Sequence, residues 1–279
     1  MRIPCLGFAS AMMLGCFSAL VVFPAHAADT FEPKFSRLRL VTPEAPSTPT
    51  PSAPAEPATL PTQLPPILET AYFQQVSALD YLSPIEQAIV AETNRLRTNP
   101  SSYADELALY EAYFNGTRLE LPGLPPMETY EGFAVVEEAI ATLRDTEPLP
   151  PLQPSVGMSL AALDHVLDMG KTGDGGHYGT DGSTPFDRLN RYGQWDASPG
   201  NRAGENLSYS PLTLDDPLDL ARWHVLQLVI DDGFPSRGHR EALLRPEYQV
   251  TGVACGDHPV FGMMCSITYA TEYLEASEE

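Results

Sequence analysis

Three short segments hold the residues whose types and spacing could do chemistry. The first is Gly175-Gly176-His177-Tyr178-Gly179-Thr180-Asp181-Gly182. The second is Gly204-Glu205-Asn206, and the third is Ser236-Arg237-Gly238-His239-Arg240, with Asp231-Asp232-Gly233 just upstream. Five glycines between positions 173 and 182 leave no room for a helix, so this stretch is a tight loop presenting His177 and Asp181. Two imidazoles and a carboxylate meeting in one cleft could bind zinc or form an acid–base set near neutral pH. The plainer alternative is that His177 and His239 tie loops to backbone carbonyls, and spacing alone does not choose between the two. The chain has no His-Glu-x-x-His and no Gly-x-Ser-x-Gly, which removes the commonest zinc-peptidase and serine-hydrolase signatures.

Helices and strands must position these segments. Ser83-Pro84-Ile85-Glu86 is a capping box with proline at the first helical position. Ile85, Ala88, Ile89 and Leu96 follow at helical spacing, and Asn99-Pro100 ends that helix and opens another. A proline-rich loop is expected over residues 119–126 and a third helix over 133–143. Residues 158–169 predict a helix with two apolar stripes, Leu160–Leu163–Leu167 and Met158–Ala162–Met169. Such a helix is expected between layers, with His165 as a core histidine. Thr184-Pro185 and Asp216-Pro217 open two more helices, and His239 opens a last one running to Leu244. Strands are expected late, at 206–209, 248–255 and 260–270, where Cys265, Ile267 and Tyr269 alternate. Helices first and an antiparallel sheet afterwards is the α+β class.

The N-terminus reads as an export signal. Arg2, an apolar run over residues 6–23 and Ala25-His26-Ala27 follow the order of a signal peptide, giving residues 1–27 as the removed segment. A retained anchor is the alternative; Met13-Leu14-Gly15-Cys16 is also a weak lipobox, although the apolar run continues past Cys16. Residues 28–66 are mostly Pro, Ala, Ser and Thr from position 41 onward, a composition expected to be disordered or extended. Residues 41–66 could span about 80 Å at ~3.1 Å per residue. Residues 67–279 read as one domain. The formal charge is −21; without residues 1–27 the chain keeps 15 Lys and Arg against 37 acids, a net −22. That balance argues against nucleic acid as a partner, because phosphate contacts need Lys and Arg. Outside the signal, no stretch is apolar enough to span a bilayer. Cys255 and Cys265 remain after the signal leaves, and in an oxidising compartment the pair predicts a disulfide. A tight turn at Asp257–Val260 would point the two side chains to opposite faces; a looser turn centred near Val260 would set them opposite each other.

The order of these segments resembles the CAP superfamily, also called SCP-like, and its bacterial branch in particular. The matching residues are Asn94-x-x-Arg97, Ala162-x-x-His165, the His177–Pro185 loop followed by Arg188-Leu189, Gly204-Glu205-Asn206, Ser236 to Arg240, and Thr251-Gly252-Val253. They span about residues 84–273. The resemblance implies a three-layer α–β–α sandwich with a small antiparallel sheet. It also implies a central cleft that, in animal and plant members, holds two His and two Glu. His177, Glu205 and His239 match three of these positions. The helix that would carry the second Glu reads Arg222-Trp223-His224-Val225-Leu226-Gln227, which leaves Asp231 or Asp232 as candidates to replace it. The implied function is a secreted, periplasmic or cell-surface binding module, non-catalytic and monomeric, with a lipid, sterol or cell-wall ligand. The alternative is a metal-dependent hydrolase, such as a peptidase, with His177 and His239 as zinc ligands and Glu205 as base. Zinc is the one cofactor the resemblance suggests.

Overall fold

Local capping decides where the first elements begin. In the computed structural model, residues 80–212 and 214–276 are described, together with the backbone of residues 18–22. The segment 28–66 expected to be extended and the other residues of 1–27, expected to be a signal, lie outside the described residues. The first strand, β1, is Ser18–Val22. Helix α1 (Pro84–Thr98) starts with the capping box read from the sequence. Glu86 Oε2 accepts from the Ser83 amide at 2.7 Å, and Oε1 accepts from the Cys255 amide at 2.9 Å. One carboxylate thus caps a helix and ties it to a distant strand. Helix α2 (Pro100–Ala108) follows the Asn99-Pro100 break.

Beyond α2 the structure departs from the expected loop. Strands β2 (Phe114–Asn115), β3 (Arg118–Leu119) and β4 (Met127–Glu128) form a small antiparallel sheet. Two-residue strands are too short to show alternation, so the prolines dominated the reading. Helix α3 (Phe133–Asp145), strand β5 (Gln153–Pro154) and helix α4 (Val156–Thr172) come next. After them come α5 (Pro185–Leu189), β6 (Gly193–Gln194), β7 (Ala203–Ser210), α6 (Pro217–Ile230) and α7 (Gly238–Leu243). The chain closes with β8 (Val250–His258), β9 (Gly262–Ala270) and β10 (Leu274–Glu275).

The main sheet has the order β1-β7-β9-β8-β5. Its pairs are antiparallel except for the short parallel edge of β5 on β8. Helix α4 covers one face, where Ala162, Val166 and Met169 pack on Leu207, Tyr209, Ala254 and Met264. Helices α1 and α6 cover the other, packing on Val253, Cys265, Ile267 and Tyr269. The expected α–β–α sandwich is therefore the observed fold. One expectation within it fails: the Leu160–Leu163–Leu167 stripe is not buried. Leu160 is 40 % and Leu167 is 53 % exposed, because α4 is an outer layer with the sheet on one side only.

Polar groups cross the core in pairs. Arg97 has no exposed surface and donates to the carbonyls of Pro150, Leu243, Arg245 and Tyr248 at 2.8–3.1 Å. Asn94, one turn earlier, exchanges two hydrogen bonds with the Leu152 backbone, at 2.7 and 3.0 Å. The Asn-x-x-Arg spacing is therefore a clamp that satisfies buried carbonyls. On α6, His224 lies 2.8 Å from the Ser208 hydroxyl through Nδ1, and burial pushes its imidazole down to about 4. It is therefore neutral around pH 7, and the Ser208 hydroxyl that meets its ring also lies 3.3 Å from the His224 carbonyl, to which it can donate.

Of the two turn geometries open to the sequence, the looser one is present. Between β8 and β9 only Pro259, Val260 and Phe261 lie outside the strands, so the turn is centred on Val260. Cys255 stands directly opposite Cys265, and the two form a disulfide with Cα atoms 4.1 Å apart. The bond closes a loop of sequence separation 10, for which chain entropy gives about 2–3 kcal/mol. The nine-residue strands already hold that register. Replacing both cysteines with serine should leave the domain folded by circular dichroism and lower Tm by roughly 5–10 °C. Loss of the folded state at room temperature would mean that the strands do not hold the hairpin without the bond.

Candidate functional site

Glu205 lies on β7 with no exposed surface. Three side chains surround its carboxylate. His177 Nδ1 lies 2.8 Å from Oε1, Arg188 donates through Nη2 to Oε1 and Oε2 at 3.2 and 3.0 Å, and the Ser266 hydroxyl donates to Oε2 at 2.9 Å. Burial by itself would raise this carboxyl, but the charges of His165 and Arg188 and the bond to His177 outweigh it and hold it well below the usual range. His165 is itself lowered by burial, so near neutral pH Arg188 supplies the lasting positive charge. A buried anion is tolerated only when paired and fully bonded in this way.

The same arginine shapes the glycine-rich loop. Arg188 sits on α5, whose N-terminus is capped by Thr184 and Asp187 with Pro185 at the first helical position. Both terminal nitrogens of Arg188 donate to the His177 carbonyl at 3.1 Å, and Nη1 also reaches the Ser183 carbonyl. Gly176 and Gly182 adopt φ of 103° and 82°, which side-chain-bearing residues rarely reach. His165 Nε2 donates to the Gly176 carbonyl at 2.7 Å. It is the core histidine the sequence suggested, and it also anchors the loop. Asp181 does not meet His177; it accepts from the Ser183 amide and pairs with Arg191 at 2.6 Å.

A second histidine–carboxylate pair forms on the other side of β7. Asp231 caps the C-terminus of α6 with φ of 60°. Its Oδ1 makes a short contact with His239 Nδ1, and Oδ2 accepts from the amides of His239 at 2.9 Å and Arg240 at 3.3 Å. Phe234 packs edge-on against the His239 ring, with centroids 5.1 Å apart. Arg240 donates to the Val229 and Ile230 carbonyls at the end of α6, at 2.6 and 2.8 Å, where a cation also suits the helix dipole. Asp232 takes no part in this pair. It accepts from the amides of Tyr130 and Glu131 at 2.8 and 2.9 Å and joins the α6–α7 turn to the segment before α3.

Among the five candidate residues, hydrogen bonds join His177 with Glu205 and His239 with Asp231, while Asp232 bonds elsewhere. Successive residues of a strand point to opposite faces. Glu205 meets His177 and Arg188, while Asn206 points the other way and donates to the His239 carbonyl and the Tyr269 hydroxyl, at 3.2 and 3.3 Å. No hydrogen bond joins the two pairs among the described residues. Arg188, Ser266 and Asn206 complete the arrangement and were not singled out as site residues from the sequence. Arg188 was within reach, since it follows a visible helix cap by one turn.

His177 and His239 each keep a buried Nε2 without a partner, and each has Nδ1 on a carboxylate, as metal-bound imidazoles do. That much fits a metal. Among the described residues, however, no three His, Cys, Asp or Glu side chains converge on one point, and both carboxylates are already committed to their histidines. The donor set does not fit a resident zinc ion.

Residues 137–269 match the family CAP, the cysteine-rich secretory protein family. No curated protein matches the chain. A solved structure described as an extracellular protein containing an SCP domain, from Bacillus anthracis str. Ames, is 22 % identical. Its TM-score is 0.31, and the match covers 48 % of this chain and 38 % of that one, well under half of the relative's length.

The Asp231 geometry makes a specific prediction. Asp231→Ala removes an acceptor from two buried amides and a ring nitrogen and places alanine at positive φ. It should cost about 2–4 kcal/mol in urea unfolding. Asp231→Asn keeps an acceptor and tolerates that backbone, and should lose about half as much or less. Equal losses for the two variants would show that neither capping nor backbone conformation is what Asp231 supplies.

Proposed function

We propose, for a chain that carries a domain of the cysteine-rich secretory protein family over residues 137–269, that it acts outside the cytoplasm as a non-catalytic, monomeric module binding an uncharged lipid. The observation that carries this reading is a pocket between α6 and the β2–β4 sheet. Phe114, Leu119, Met127, Trp223, Leu226 and Phe234 line it, and Gln227, Asp231 and Asp232 stand at its polar positions. With a volume of about 80 Å³ it admits part of an acyl chain beside a small head group rather than a whole sterol body. Glu128, Asp231 and Asp232 in its lining disfavour a carboxylate head, so a neutral monoacylglycerol fits better than a fatty acid. Location outside the cytoplasm rests on residues 1–27 read as a signal peptide. No helix of the described residues is long and apolar enough to cross a membrane.

Hydrolysis with Glu205 as base has no comparable support. Arg188, Ser266 and His177 cage that carboxylate and hold its proton affinity far below that of a base working near neutral pH. Its role in this reading is to hold the 175–183 loop.

Trp223 lines the pocket and provides the test. Titrating the purified protein with monoolein below its critical concentration should change tryptophan fluorescence saturably. Met127→Trp, which fills the cleft from the small sheet, should weaken binding at least tenfold with Tm within a few degrees of wild type. Oleate should bind more weakly than monoolein. Absence of saturable binding by any neutral lipid, or an unchanged Kd in Met127→Trp, would end this reading.

A further inference from the structure

We infer that Arg202 and Arg245, together with the Tyr248 hydroxyl, form a binding site for the phosphate group of a small soluble monoester at one end of the main sheet. None of the three lines the lipid pocket, so this site stands apart from that reading. The chain is strongly acidic, with 37 Asp and Glu against 16 Lys and Arg. Among the described residues, every other arginine pairs its guanidinium with a carboxylate or donates it to backbone carbonyls. Arg202 and Arg245 do neither.

The sheet brings these two to one place. Arg202 precedes β7, where its carbonyl accepts from the Thr271 amide at 2.9 Å and its amide donates to the Thr271 hydroxyl at 3.2 Å. Side chains alternate along this ladder, so Arg202 shares the face of Gly204, which stands opposite Tyr269. The Tyr269 ring stacks on that of Tyr248, with centroids 5.4 Å apart, and Arg245 Cζ lies 5.7 Å from the Tyr248 centroid. Burial pushes the Tyr248 phenol up to about 12, while the charges of Arg245 and Arg202 act against that rise and Glu247 acts with it.

Two polar atoms here are left over by the fold. Tyr248 is 1 % exposed, yet its hydroxyl has no hydrogen-bond partner, and Arg245 Nε is also buried and unpartnered. Buried donors of this kind are normally satisfied, and an oxyanion would satisfy both. Arg97, fixed on the Tyr248 carbonyl at 3.1 Å, adds positive charge from below. Of the acids beside the site in the chain, Glu247 is exposed and pairs with neither arginine, and Glu272 accepts from Asn201 at 3.0 Å. Guanidiniums suit phosphate and carboxylate oxygens alike. A phosphate monoester, close to doubly charged near neutral pH, matches two guanidiniums and keeps an oxygen for the phenol, whereas a carboxylate leaves one charge unmet. The formal charge of −21 repels anionic membrane surfaces, which favours a small soluble ligand. Arg202 and Arg245 are half-buried, so rotation of Arg245 off the ring opens the hydroxyl to such a group.

The experiment titrates the purified full chain with glycerol phosphate at constant ionic strength and follows backbone amide NMR shifts, beside acetate and vesicles of phosphatidic acid. Saturable shifts are expected at residues 202, 245–249 and 271, with binding at least roughly tenfold tighter than that of acetate. Arg202→Gln and Arg245→Gln should each weaken binding by roughly tenfold with Tm unchanged, and Tyr248→Phe, which keeps the ring stack, should weaken it severalfold. If a glutamine variant lowers Tm, the wild-type shift map and the acetate comparison still decide. Shifts that do not saturate, acetate binding as tightly, or an unchanged Kd in both glutamine variants would overturn the proposal. Binding to the vesicles without binding to glycerol phosphate would also overturn it, because the group would then be recognised only on a membrane.

Discussion

An ionised carboxylate with no exposure to water is stable only if the protein supplies what water would have supplied, and Glu205 imposes that demand at the centre of the sheet. Removing one partner of a buried pair typically costs about 3–5 kcal/mol, so its neighbours are fixed with it. Arg188 must lie one turn into α5, which requires the Thr184 cap and Pro185. Ser266 must face the same side of the sheet, which fixes the register of β9. His177 must reach back from the loop, which requires glycine at 176 and 182. The loop conformation is thus a consequence of neutralising one charge.

The other side of β7 obeys a different constraint. There, Asp231 satisfies the first amides of α7 and turns the chain at the end of α6, and Arg240 satisfies the last carbonyls of α6. The result is a cross-braced corner whose acids line the apolar pocket and whose His239 carbonyl meets Asn206 of β7.

The sequence was most legible where chemistry is local. Ser83 with Glu86 and Thr184 with Pro185 mark helix starts through hydrogen bonds made within one turn. The histidines and Glu205 stood out because polar residues beside glycines rarely serve packing alone. What could not be read was set by distant partners. Ser266 looks like any alternating strand residue until β9 is placed beside β7. The exposed stripe of α4 looked buried because Leu160 and Leu167 match core spacing, yet no layer lies outside them. The strands 114–115, 118–119 and 127–128 are too short to carry a pattern. Nor does sequence order reveal that Glu205 meets the His177 ring while Asn206, next to it, meets the His239 carbonyl.

The most direct test of the account is a double-mutant cycle on Glu205 and Arg188, with unfolding free energies measured in urea at pH 7. If the buried charge pair dictates the loop, Glu205→Gln and Arg188→Met will each destabilise by several kcal/mol. The double variant will then lose less than the sum, with a coupling of at least about 2 kcal/mol. Losses that add to within about 0.5 kcal/mol would contradict the account, because Glu205 and Arg188 would then be held by the fold independently instead of holding it together.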